Sequence, residues 1–259
     1  MNNAQLEKRE REAAEFYQFD NGMLLSGDTE LEKWRAETLF SKEPETIAWI
    51  DFWSKENGIL YDVGANIGGY SVYAAYTNLN LNVFSFEPVS NNYATLLKNK
   101  TLNKLDNLNT FQMALSSAPK LETLYISDER VGNSGAQVGA PVNERGENFV
   151  PASKETLLCL SLDTMVEEYG FAVPNFIKID VDGHEMDILQ GGLKTLTRPE
   201  LKSILIECNG GESKVKIDAL LESKCFTLDN QFNNLENHSS KRREGNSENV
   251  ARNVVYSKL

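Results

Sequence analysis

Short apolar runs that close on a glycine or an acid, each followed by a helical stretch, constrain this chain more than any other feature. Ile59-Leu60-Tyr61-Asp62-Val63 runs into Gly64, and Tyr70 to Tyr76 then reads as an Ala-rich helix. Leu81 to Phe86 is a second strand, followed by Pro88 and a helix with Tyr93, Leu96 and Leu97 on one face. Leu108 to Leu115 reads as a third strand. Phe176 to Val181 is near-continuously apolar, the mark of a strand covered on both faces. One helix with Met186, Leu189, Leu193 and Leu196 on one side is expected to follow it, closed by Pro199. Ser203 to Cys208 is another buried strand. This alternation predicts an α/β fold, a mostly parallel sheet with helices on both faces.

Two stretches break the rhythm. Residues 127–156, between the strand Leu121 to Ile126 and the later ones, are dominated by Gly, Asn, Pro and Glu. So long a connection in a compact domain is either a functional flap or a disordered insert. Residues 229–249 are similarly polar.

Charge and cysteine content narrow the function classes. The 26 Lys plus Arg face 38 Asp plus Glu, a net charge of −12 that repels nucleic-acid phosphates. The one basic run, Lys241-Arg242-Arg243, is short, so a nucleic-acid partner is not expected. No apolar run approaches the roughly 18 residues of a membrane span. Met1 to Arg9 lacks the apolar region of a secretory signal. Cys159, Cys208 and Cys225 are too few and scattered for a disulfide framework or a zinc cage. A reducing cytoplasmic setting is the expectation.

In an open α/β sheet, ligands bind beyond the carboxyl ends of the strands. The first strand ends in Asp62-Val63-Gly64-Ala65-Asn66-Ile67-Gly68-Gly69, and glycine here lets the backbone approach a ligand. The next ends in Phe86-Glu87-Pro88, where a carboxylate can accept both ribose hydroxyls of an adenosine-containing cofactor. A dinucleotide fingerprint requires Gly where this chain has Asn66, and no phosphate-cradling Gly-Lys-Ser/Thr exists. Gly-x-Asn-x-Gly suits a ligand without phosphate, such as S-adenosylmethionine, with Asn66 bracing the turn through its amide. A purely structural strand-to-helix turn uses glycine too.

The blocks Lys42-Glu43-Pro44-Glu45-Thr46, Tyr61 to Gly68, Phe86-Glu87-Pro88, Ala114-Leu115-Ser116 and Ile177 to Glu185 occur in that order. Their order and spacing resemble FkbM-type methyltransferases over roughly residues 40–210. The resemblance implies a Rossmann-like class I methyltransferase fold, and the expected division of the chain is a helical extension or lid over 1–45 and the methyltransferase domain over 46–259. Its seven-stranded sheet would have an antiparallel last strand at Asn253 to Ser257. It implies S-adenosylmethionine as donor and a hydroxyl of a sugar, glycan or small metabolite as acceptor. By position, Asp62, Gly64, Asn66 and Gly68 would surround the methionine part, Glu87 would hold the ribose, and Met113 with Ala114 would lie along the adenine. Glu43 and Thr46 would close on the donor from the start of a helix.

Asp180-Val181-Asp182-Gly183-His184-Glu185 sits where the sheet meets its ligand. An alcohol is a poor nucleophile until its proton leaves, so a base within hydrogen-bond reach of the aligned acceptor is needed. Asp182, His184 and Glu185 are the candidates, and His184 has an ordinary pKa near neutrality. The other histidine is His238. Asp180 is assigned to the cofactor side. Asp182 and Glu185 also match a capping box before a helix, which is structural work. A third reading gives Asp180, Asp182 and Glu207 to magnesium. Tyr17, Lys33, Trp34 and Arg35 upstream, and Asn133 to Gln137 in the insert, are further acceptor-side candidates. The rival functions are a nicotinamide-dependent oxidoreductase and a non-catalytic adenosyl-binding scaffold.

Overall fold

The computed structural model describes residues 15–143, 145–235 and 252–258. His238 and Lys241-Arg242-Arg243 lie outside the described residues. In chain order the strands are β1 (Phe16–Gln18), β2 (Leu24–Ser26), β3 (Gly58–Val63), β4 (Leu81–Phe86), β5 (Leu108–Phe111), β6 (Ala114–Leu115), β7 (Lys120–Ile126), β8 (Ala136–Val138), β9 (Ser153–Leu160), β10 (Phe176–Ile179), β11 (Ser203–Cys208), β12 (Phe226–Leu228) and β13 (Arg252–Lys258). The helices are α1 (Glu30–Lys42), α2 (Pro44–Trp53), α3 (Gly69–Thr77), α4 (Ser90–Asn103), α5 (Leu162–Glu167), α6 (Glu185–Gln190), α7 (Glu212–Ser223) and α8 (Asn230–Asn233).

The main sheet has seven strands in the order β12-β13-β11-β10-β3-β4-β5. All run parallel except β13, which is antiparallel to both neighbours as the resemblance implied. β10 is buried along its whole length, as its unbroken apolar pattern requires. One face packs Trp49, Leu60, Val72, Ala74 and Leu96 together with Leu25, Ala36 and Leu39 from the first elements. The other packs Tyr61, Ile177, Ile188, Ile204, Leu221 and Tyr256. α1 starts with a capping box, in which Thr29 Oγ1 accepts from the Glu32 amide while Glu32 accepts from the Thr29 amide.

Three expectations need correction. The strand expected over 108–115 is two strands. β5 stays in the main sheet, whereas β6 pairs with β9 in a second, four-stranded sheet ordered β6-β9-β7-β8. The helix expected to run to Pro199 ends at Gln190, at the Gly191-Gly192 pair, where a Cβ on Gly191 would lie 2.2 Å from the Ser116 carbonyl oxygen. A separate 3-10 turn, Thr195–Thr197, follows. The described residues of 127–156 are not a disordered insert. β8 and the start of β9 hydrogen-bond to β7, with Ile126 opposite both Ala136 and Ser153. Their strand pattern is short and interrupted by turns, so periodicity does not reveal it.

Among the described residues no helix is long and apolar enough to cross a membrane.

Candidate active site

The carboxyl ends of β3, β4 and β10 meet at one edge of the sheet. β3 turns sharply there: Gly64 has φ 82°, and a Cβ on it would lie 1.9 Å from the Asp180 carbonyl oxygen. No side chain fits between the two strand ends. Asn66 takes a left-handed conformation (φ 53°), its Oδ1 accepts from the Ile67 amide at 2.9 Å, and its Nδ2 donates to the Asn133 carbonyl at 3.0 Å. The amide brace expected of Asn66 is therefore present.

Glu87 is buried at the end of β4. Its Oε2 accepts from the Asn66 amide at 2.8 Å and its Oε1 from the Val89 amide at 2.9 Å. Burial pushes its pKa up to about 7, against those hydrogen bonds and the nearby Arg35 charge. Asn92 also reaches the carboxylate, which with about four lone-pair sites keeps the capacity to accept from a ligand.

These groups line one cleft at the strand ends. One end is walled by Phe86, Glu87, Pro88, Met113 and Ala114, the other by Gly64, Asp180, Asp182 and His184. A second, smaller cleft adjoins it, sharing Arg35, Gly64, Asn66 and Asp180 and adding Lys42, Tyr70 and Lys178.

The β7–β8 connection roofs the larger cleft. Asn66 and Asn92 both donate to the Asn133 carbonyl, and Asn92 Oδ1 accepts from the Gly132 amide at 2.7 Å. Arg35 Nε donates to the Gly132 carbonyl. Asp182 Oδ2 accepts from the Gly135 amide at 3.0 Å, and Gln137 Nε2 donates to the Asp182 carbonyl at 2.9 Å. That bond turns Gln137 Oε1 toward His184 Nε2, 3.1 Å away. Oε1 only accepts, so Nε2 carries a hydrogen toward it. Nδ1 sits 3.5 Å from Asp187.

The remaining candidates stand off the larger cleft. Asp62 is buried beneath the turn; Ser71 Oγ donates to its Oδ2 at 2.5 Å, and Lys178 Nζ lies 3.6 Å from its Oδ1. Lys178 also reaches Asp180 Oδ2 at 3.1 Å, which helps hold the Asp180 carboxyl below the ordinary range despite its burial. Gly68 is the N-cap of α3, where a Cβ would lie 2.2 Å from Leu96 Cδ1. Glu43 pairs with Lys42 at 2.7 Å, and Asn253 Nδ2 from β13 donates to Glu43, Glu45 and Thr46. Glu43 and Thr46 are buried and do not line either cleft; Lys42 does.

The capping box expected from Asp182 and Glu185 does not form. Asp182 is left-handed (φ 53°), its Oδ2 serves Gly135, and His184 occupies the N-cap. Glu185 is buried, its Oε1 accepts from the Gly183 amide at 3.1 Å, and burial pushes its pKa up to about 7. Glu207 is pushed up to about 9 by burial and by the surrounding Asp180, Asp182, Glu185 and Glu43. Among the described residues no group of His, Cys, Asp and Glu is arranged to hold a metal ion, so Asp180, Asp182 and Glu207 do not form the magnesium set considered above. Asn92, Leu124 and Val138 also line the cleft, and no local pattern marks them.

A Rossmann-like sheet with one antiparallel strand and an acid-ended β4 beside a glycine turn defines the methyltransferase class. The chain belongs to the FkbM methyltransferase family, a family dependent on S-adenosylmethionine: the model described as "Methyltransferase FkbM domain" matches residues 62–239. It is 26% identical over 218 residues to the hexuronic acid methyltransferase AglP of Haloferax volcanii, covering 82% of each chain. Methyltransferase sdnD of Sordaria araneosa is 27% identical over 194 residues, covering 66% of this chain and 74% of the relative. The crystal structure of a methyltransferase FkbM from Methylobacillus flagellatus KT aligns with TM-score 0.48 at 14% identity, covering 78% of this chain and 43% of that one. The chain thus spans less than half the length of that structure. Family membership argues against the nicotinamide-dependent alternative.

Proposed function

We propose that this protein transfers the methyl group of S-adenosylmethionine to a hydroxyl oxygen of a sugar, glycan or small metabolite. The observation that carries the reading is one cleft with a buried carboxylate and apolar wall at one end and Asp180, Asp182 and His184 at the other. The donor supplies an electrophilic methyl on a sulfonium; the chain supplies position and a proton acceptor. Glu87 holds the ribose, Met113 and Ala114 flank the adenine, and Gly64, Asn66 and Gly68 form the turn beneath. Asp180, with Asp62 behind it, faces the methionine end, and Glu43 and Thr46 support Lys42 at that end. In the reaction the sulfur–methyl bond breaks, an oxygen–methyl bond forms, and the hydroxyl proton passes to a base among Asp182, His184 and Glu185. S-Adenosylhomocysteine leaves. The relative that acts on hexuronic acid supports a sugar acceptor.

The test begins with calorimetry of S-adenosylmethionine and S-adenosylhomocysteine, with NAD as control. Micromolar binding of an adenosyl ligand, roughly −8 kcal/mol, is expected. Labelled methyl transfer to neutral hexosides and to hexuronates follows. Label that resists mild alkali marks an ether and a hydroxyl acceptor. Label released by alkali marks an ester and overturns the hydroxyl assignment; donor binding without transfer to any acceptor favours the scaffold alternative.

A further inference from the structure

Arg35 stands in an unusual place. It comes from α1, outside the matched family domain at 62–239, yet it lines both clefts. It is half-buried, and its Nε is held by the Gly132 carbonyl of the roof. No carboxylate among the described residues comes within ion-pair distance of it, although Asp180, Glu43 and Glu87 all act on it electrostatically. Lys42 and Lys178, the other cations of the smaller cleft, are paired with Glu43 and Asp180. Apart from His184, the ionisable groups lining the larger cleft are otherwise acids: Glu87, Asp180 and Asp182.

A guanidinium has five donors, and with Nε engaged the four hydrogens on its two terminal nitrogens remain. Two parallel N–H groups match the two oxygens of a carboxylate, and in a cleft partly closed from water such a pair is stronger than at a surface. We propose that Arg35 is the carboxylate-recognition residue of this cleft. The proposal rests on the cleft being the donor site argued above. A carboxylate can reach Arg35 from two sources: the amino-acid end of the donor, or an acidic acceptor.

Two matched ligand pairs separate the sources by binding alone. S-Adenosylhomocysteine and 5′-methylthioadenosine share the adenosine and sulfur, and only the first carries a carboxylate. Glucuronate and glucose, added to protein saturated with methylthioadenosine, form the acceptor pair. The variants are Arg35→Gln and Arg35→Lys, with Asn92→Ala as a control that loosens the same roof and leaves the cation in place. Thermal melts establish that each is folded.

If Arg35 binds the donor's carboxylate, Arg35→Gln weakens S-adenosylhomocysteine about tenfold or more and leaves methylthioadenosine within about twofold, with Arg35→Lys between. If it binds an acceptor's carboxylate, the donor pair is unchanged and the preference for glucuronate over glucose disappears. Equal weakening of both members of each pair, as expected for Asn92→Ala, or no change in either pair, overturns the proposal. An inactive wild type that still binds adenosyl ligands would count against methyl transfer and leave the Arg35 result readable. A wild type that binds neither adenosyl ligand would overturn both readings.

Discussion

The Glu87 carboxylate accepts the amide hydrogen of Asn66 at 2.8 Å, so the acid that ends β4 also fixes the turn that ends β3. Ligand recognition and backbone geometry thus share one side chain. Removing it leaves the half-buried Asn66 and Val89 amides without their acceptor, at about 1 kcal/mol each. Glu87→Ala is expected to lower the melting temperature and abolish donor binding together. Glu87→Gln keeps one acceptor oxygen and is expected to lose most donor affinity with a smaller stability change. Calorimetry beside thermal melts checks this; unchanged donor affinity in either variant would sink the ribose assignment.

At Gly64 the conflict is steric. A methyl group there would lie 1.9 Å from a backbone oxygen of Asp180 in a left-handed conformation. Gly64→Ala is expected to cost about 2 kcal/mol or more in denaturant unfolding. A variant as stable as wild type would mean the strand ends can part freely.

The hydrogen bond that Gln137 Oε1 accepts from His184 places a ring hydrogen on Nε2. His184→Ala is expected to spare donor affinity and lower kcat by about 10²-fold, the scale of a general base. Gln137→Ala frees the ring and is expected to lower kcat less. Normal turnover in His184→Ala would remove it as the base and leave Asp182 and Glu185, separable by the same kcat and donor-affinity measurements.

Two buried carboxyls, Glu87 and Glu185, and the half-buried Glu207 make stability depend on pH. Glu87 and Glu185 are raised to about 7 and Glu207 to about 9, all above their unfolded values. The folded chain therefore holds protons that the unfolded chain has released. This stabilisation is complete below the unfolded carboxyl pKa and is lost as pH rises through about 7 and then about 9. Melting temperature is expected to fall across that window, and Glu207→Gln to flatten its upper half. Superimposable curves for wild type and Glu207→Gln would count against the Glu207 environment described here.

The roof is pinned from α4. Asn92 accepts from the Gly132 amide and donates to the Asn133 carbonyl. Asn92→Ala is expected to speed hydrogen exchange at Gly132 and Gly135 while β3 and β10 exchange as before. Unaltered protection at Gly132 would show that Asn66 and Arg35 hold the roof without Asn92.

Much of the sheet was legible because its signals are local. Continuous apolar runs such as Phe176 to Ile179 admit few alternatives to a doubly covered strand, and a glycine turn followed one strand later by an acid marks the ligand edge wherever the strands pair. Departures arose where distant atoms outweighed local pattern. The helix stops at Gly191, which packs against the Ser116 carbonyl, although the apolar periodicity continues. Asp182 binds the Gly135 amide across the cleft instead of capping the helix beside it.

The sequence by itself determined the α/β class, the parallel strands, the turn at Gly64 and the acid at Glu87, since each depends on residues adjacent in the chain. Only the tertiary structure decided that residues 127–156 complete a second sheet and roof the cleft, that Asn253 of the last strand grips Glu43 and Thr46, and that Arg35 enters the site. Those relations join residues far apart in sequence, and no local pattern encodes which donors and acceptors meet once the backbone has closed.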